Sequence, residues 1–277
     1  MVKVRTASCA LAFVALSVSA ASAQSMLVDV MQRQGVMVKA GEFDAAFDAY
    51  AEPTVPVTPG SFATPLAVLT SALGNERIDA AYAFGILAGR SGRAASAPEL
   101  AAAGQNLVMM LVSGDRRSRI AGARVSGRLF AVPFDRSSPR PVAPPGLTDA
   151  LFALLNEDNE VEQLAAMDAI GLLRETTAVA SLTERYRYYR DGNKRSLAGG
   201  ALEALARIGD PSTTLIVRQL TGDKWAQGKD ATALAVAFAR ERMLRDGSMA
   251  VIQMAVDDKS RGNQARGYLA ELGARVP

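Results

Sequence analysis

Gly200–Leu220 reads GALEALARIGDPSTTLIVRQL. Its first half sets Ala201, Ala204, Leu205 and Ile208 at i, i+3, i+4 and i+7, the spacing of one buried helix face. Gly209-Asp210-Pro211 then halts the helix, and an apolar stretch resumes from Thr213. A face rich in alanine buries little area by itself, at about 25 cal/mol per Å². Its use lies elsewhere, in letting a neighbouring helix come close.

The same unit recurs along the chain. Ala80, Ala83, Phe84 and Leu87 form it in AAYAFGIL, and Ala166, Ala169, Ile170 and Leu173 in AMDAIGLL. Ala265, Tyr268, Leu269 and Leu272 repeat it, as do Ala231, Leu234, Ala235 and Phe238. A weaker copy is Gly122, Val125, Ser126 and Leu129. The first residues of these units are 42, 44, 35, 30 and 34 apart. Five residues after each anchor stand Gly85, Gly127, Gly171, Ala206, Val236 and Ala270, nearly all small. Eleven before stand Leu69, Leu111, Leu155, Arg190, Leu220 and Met254, nearly all apolar. Between them the chain breaks at SALGNE, SGDRR, NEDNE, DGNK, TGDK and VDDK, clusters that end one helix and cap the next. The repeating unit is therefore helix, tight turn, helix. One such hairpin cannot bury its apolar faces, whereas a stack of them shares a continuous core.

These residues resemble a known family. ALEALARIGDP and AMDAIGLLR look like HEAT repeats, in particular the short bacterial variety first associated with phycobilisome-lyase-like proteins. The resemblance covers roughly residues 64–277. It implies an all-α fold, a curved α-solenoid of about six stacked antiparallel helix pairs whose second helices line the concave side. It also implies use mainly as a binding surface. The family pattern commonly has Val-Arg before the second helix, where this chain has Val161-Glu162.

The positions expected to face that concave side lie two and six residues after each anchor. They are Tyr82 and Ile86, Arg124 and Arg128, Asp168 and Leu172, Glu203 and Arg207, Ala233 and Ala237, Gly267 and Glu271. Charges of both signs alternate with apolar residues, which suits a protein or peptide better than a uniform polyanion.

Residues 1–23 read as a signal peptide: Lys3 and Arg5, then an apolar core, then Ala21-Ser22-Ala23 before Gln24. The expected mature chain is exported, to the periplasm or beyond, and no later stretch is long enough for a membrane span. Two of the 31 basic residues and none of the 28 acidic ones leave with that segment, so 29 face 28 and the formal charge is +1. So even a balance gives no general affinity for nucleic acid. The single cysteine, Cys9, also leaves with it.

Residues 24–51 are expected to form a helical cap, although GEFDAAFDAYAEP also resembles the first helix of a tetratricopeptide motif. Residues 52–63, with Pro53, Pro56 and Pro59, read as a linker, and the proline-rich stretch 131–146 as a long loop carrying Arg136 and Arg140. Long loops on a rigid scaffold often serve recognition.

The chain has no histidine, so triads, His-based metal sites and the paired His-Glu motifs of HEAT-like hydroxylases are absent. No phosphate-binding glycine loop occurs. The acidic run 156–160 falls where a turn is due, and Asn159 is placed to cap the next helix. The run Glu184–Arg190, ERYRYYR, raises a second possibility. Arg185 and Tyr188 face outward there, and interleaved Arg and Tyr can grip an anionic envelope polymer. Trp225, the sole tryptophan, either staples its turn or anchors a partner. The expectation is a non-enzymatic scaffold without cofactor or metal that binds a protein or peptide. The contacting residues are expected to be Tyr82, Arg124, Arg128, Glu203, Arg207, Arg136, Arg140, Arg185, Tyr188 and Trp225. The alternatives are the polymer binder and an enzyme built on carboxylates or serine.

Overall fold

The computed structural model describes residues 20–49, 51–133, 141–220 and 231–273. Among the described residues every α-helix or short 3-10 turn is helical structure, with no strand. The helices are α1 (Ala20–Arg33), α2 (Phe43–Asp48), α3 (Ala63–Ser71), α4 (Gly74–Ala88), α5 (Ala97–Ser113), α6 (Arg116–Leu129) and α7 (Leu147–Leu155). They continue with α8 (Glu160–Leu173), α9 (Val179–Asp191), α10 (Arg195–Ile208), α11 (Thr213–Leu220), α12 (Ala231–Leu244), α13 (Met249–Met254) and α14 (Gly262–Glu271). Trp225, Arg136 and Arg140 lie outside the described residues.

The described turns form where the sequence places them, and TGDK, residues 221–224, lies outside the described residues. Gly209 ends α10 in the left-handed conformation, φ +69°, which glycine adopts without steric cost. Asp210 then accepts from the Ser212 amide and hydroxyl at 2.8 and 2.6 Å. That pair of events is the hard stop in the opening stretch. Asp115 caps α6 through the Ser118 amide at 2.8 Å, and Asn159 caps α8 through the Val161 and Glu162 amides. Each such cap is worth about 1 kcal/mol.

Packing follows a repeated order. Helix α4 lies against α6, α6 against α8, α8 against α10 and α10 against α12, while α3, α5, α7, α9, α11 and α13 each pack on the helix that follows. The small column shows why. A β-carbon added at Gly85 would come within 3.1 Å of Val125, at Gly127 within 2.9 Å of Ala169, and at Gly171 within 2.8 Å of Ala204. In all three cases the residue five after one anchor meets the residue three after the next. The anchor faces are buried accordingly: Ala80, Ala166, Ala201 and Ala265 are all at 0% exposure. Alanine there contributes proximity more than area, and the larger apolar stabilisation comes from residues such as Phe84, Leu205 and Phe238, at about 1.5–3 kcal/mol each.

Three details refine the sequence reading. In the apolar column Leu69, Leu111 and Leu155 are buried, but Met254, the last residue of the six-residue α13, is 78% exposed. The tetratricopeptide-like stretch is helical only over the six residues of α2. The departure at Val161-Glu162 has a structural use: Glu162 is buried, and Arg119 of α6 donates to it twice at 2.7 Å. At the N-terminal side, α1 and α2 pack on α4, and Ala23 in the first turn of α1 is itself buried. No helix among the described residues is long and apolar enough to cross a membrane.

Candidate groove of arginines and carboxylates

A cavity of about 480 Å³ opens across α6, α8, α10 and α14. Its walls include Arg124, Arg128, Asp168, Leu172, Arg207 and Glu271. Each of these stands two or six residues after an anchor, so the sequence stripe and the cavity wall coincide at six positions from four helix pairs. Helical periodicity puts both positions of a pair on one side of the helix, and the repeated packing brings those sides together.

One end is built around Arg207, which is 3% exposed. Its guanidinium donates to both oxygens of Glu271, at 2.9 and 3.0 Å, and to Asp168 at 2.6 Å. Glu203, one turn earlier on α10, lies 3.6 Å away. The rings of Phe238 and Tyr268, stacked at 4.4 Å, cover the guanidinium at 5.5 and 6.0 Å. Burial works against the charge on Arg207, but Glu271, Asp168 and Glu203 outweigh it and hold the residue protonated above its usual range. Burial pushes the Glu203 carboxyl up to about 7; Arg207 and the Tyr268 hydroxyl oppose the rise, and Asp168 and Glu271 add to it. Gln264 bridges this end, donating to Glu203 at 3.2 Å and to the Tyr268 hydroxyl at 2.8 Å. Glu203 itself lines a smaller neighbouring cleft of about 340 Å³, together with Gly199, Gly200 and Thr232.

The other end is arranged differently. Arg124 pairs with Asp48, and Arg128 donates to Glu52 at 2.7 Å. Both carboxylates belong to the strap that runs from α2 into the proline-rich linker, and both are half-exposed. The Phe47 ring lies beneath the two guanidiniums, at 5.7 and 5.0 Å, with its edge seated where Gly85 leaves room. Arg90, Ser91 and Arg93, in the connector between α4 and α5, complete the rim, and Arg93 is exposed. Ser91 holds φ +58°, a left-handed backbone that costs a non-glycine residue about 1–3 kcal/mol and turns the connector toward the cavity. The chain leaving α6 crosses this end, tied by the Val132 amide to the Leu172 carbonyl at 2.9 Å.

The expected contact residues thus separate. Arg124, Arg128 and Arg207 share the cavity, and Glu203 backs it. Tyr82 lines an adjoining cleft with Asp44 and Asp79, and Arg124 reaches its hydroxyl at 3.4 Å. Arg185 and Tyr188 sit apart on α9. Leu182, Tyr186 and Tyr189 bury the inner face of that helix. Arg185 is engaged by Asn156 at 2.5 Å and by the Tyr189 hydroxyl at 3.1 Å, while Tyr188 is 69% exposed. Sequence reasoning missed Phe47, Asp48, Glu52, Arg90 and Arg93, whose places depend on how distant segments fold back. Among the described residues no group of three or more Asp, Glu, Cys or His is placed to hold a metal ion. No known family model matches the chain, and no characterised protein matches it in sequence.

Proposed function

We propose that the chain is an exported, non-enzymatic scaffold, a HEAT-like solenoid of stacked antiparallel helix pairs, and that it binds another protein or a peptide through the groove. One observation carries this reading: stripe residues from four helix pairs line a single cavity. A groove assembled from many units, rigid because each is packed on the next, is what repeat proteins offer to extended partners. Its mixed charges and its apolar floor of Leu172 and Ala131–Pro133 suit a polypeptide.

Catalysis is a poorer fit to the same residues. Glu203, the carboxyl that titrates near neutrality, is largely buried and held by Arg207 and Gln264. A general base must instead reach a substrate proton. The export reading rests on the basic start, apolar core and Ala21-Ser22-Ala23. Cleavage after Ala23 removes the first turn of α1, the buried Ala23 included, and leaves Gln24 at its start, where its side-chain amide donates to Asp79 at 2.9 Å.

The test is site-specific photo-crosslinking in cells. A crosslinker at Leu172 is expected to trap a protein or peptide in the exported fraction, on a chain whose first residue is Gln24. The same crosslinker at Tyr188 is expected to trap none. Equal trapping at both positions, or none at Leu172, contradicts the reading.

A further inference from the structure

Five arginines line the groove, Arg90, Arg93, Arg124, Arg128 and Arg207, against three carboxylates, Asp48, Asp168 and Glu271. Two of those carboxylates, Asp168 and Glu271, are committed to Arg207 at one end. At the other end Arg93 is exposed on the rim, beside the Arg124–Asp48 and Arg128–Glu52 pairs.

The chain itself shows what this end accepts. Phe47, Asp48 and Glu52 supply one aromatic ring and two carboxylates to Arg124 and Arg128. A ring under a guanidinium with a carboxylate at its edge satisfies both the cation–π face and the hydrogen-bonding fork of arginine. The ring is buried, whereas the Asp48 and Glu52 side chains are 51% and 50% exposed. Arg124 is 26% exposed and Arg128 only 7%, so the Arg124–Asp48 pair is the one a competing carboxylate can exchange with at little cost, whereas taking Glu52 away would strand a buried guanidinium.

We infer that the partner segment is an acidic peptide, whose carboxylates engage Arg93 and exchange with Asp48 on Arg124. The inference rests on the peptide-binding reading of the same groove and adds the chemistry of its occupant. A continuous phosphate polymer fits the groove less well, because its uniform charge must pass Asp168 and Glu271 as well as the arginines.

The probe is a blocked synthetic peptide copying residues 46–53, AFDAYAEP, labelled for fluorescence anisotropy with the full chain. Companion peptides carry Asn and Gln, or Lys, in place of its two carboxylates. The acidic peptide is expected to bind at least tenfold more tightly than either companion. Arg93→Glu is expected to weaken it about tenfold with an unchanged melting temperature. The Asp48→Asn protein is expected to bind it severalfold more tightly, since the competitor on Arg124 is gone. Equal binding of the three peptides by wild type, or indifference to Arg93→Glu, overturns the inference. So does inorganic polyphosphate displacing the peptide at equal charge concentration. Groove binding of the neutral or basic peptide alone removes the acidic inference and leaves the peptide-groove reading standing. If no peptide of any charge binds and the Leu172 crosslink is also absent, both fall.

Discussion

The two ends of the groove use the same chemistry to opposite effect. At the Arg207 end, one buried guanidinium is held by carboxylates from α8, α10 and α14 under two stacked rings. At the Arg124–Arg128 end, the carboxylates come from a half-exposed strap rather than from the helix stack. An ion pair withdrawn from water is costly to break, because it leaves a charge that the interior cannot solvate. The Arg124–Asp48 pair, 26% and 51% exposed, is cheap to break, because water replaces the partner, whereas Arg128 is itself buried. The first end therefore ties helices together, and the inference of an acidic ligand turns on the Arg124–Asp48 pair at the second.

The largest expected effect tests the first half of that contrast. Arg207→Ala strands two largely buried carboxylates, Glu203 and Glu271, while Asp168 stays in water, and is expected to cost about 3–5 kcal/mol in chemical denaturation. A loss under 1 kcal/mol would mean that this end is as loosely held as the other.

The next effect depends on pH. The folded-state pKa of Glu203 is raised to about 7 from an ordinary value of 4.5, so the folded chain holds its proton where the unfolded chain has released it. Stability therefore falls as pH rises between those two values, and the full penalty is present above the upper one. Glu203→Gln carries no such penalty. At pH 8 it is expected to be more stable than wild type by up to roughly 3 kcal/mol, a gain that vanishes below about pH 4.5. Parallel stability profiles for the two proteins across that range contradict the assignment.

Both ends depend on the close approach of the second helices. Gly171→Val drives a side chain toward the Ala204 backbone and is expected to cost about 1–3 kcal/mol, as overpacking does. The smallest effect belongs to the strap. Asp48→Asn is expected to change thermal stability by less than about 1 kcal/mol. A larger loss would make the strap a fixed part of the fold and close the second end to exchange.

The part of this arrangement legible in the sequence is the part set by local periodicity. Anchors, small column and stripe are all offsets within one helix, so Arg124, Asp168, Arg207 and Glu271 could be placed on one side before any packing was known. Legibility ended where the chain folds back. Glu52 reaches Arg128 across 76 positions, and no offset rule connects a linker residue to a stripe residue that far away. Arg90 and Arg93 reach the rim through the left-handed turn at Ser91, a residue type that gives no warning of that conformation. The stripe also carried no sign of how its charges pair. Glu203 and Arg207 were expected to meet a partner, and the structure spends them largely on each other, Asp168 and Glu271.

The claim beneath all of this is that residues far apart in sequence are brought to one groove by the stacking of like units. A double-mutant cycle between Arg207 and Glu271, 64 positions apart, tests it most directly. Arg207→Met and Glu271→Gln, singly and together, are expected to show a coupling of about 1.5–3 kcal/mol in equilibrium unfolding. Strictly additive losses would mean that the two side chains do not meet, and that the groove is not built as described.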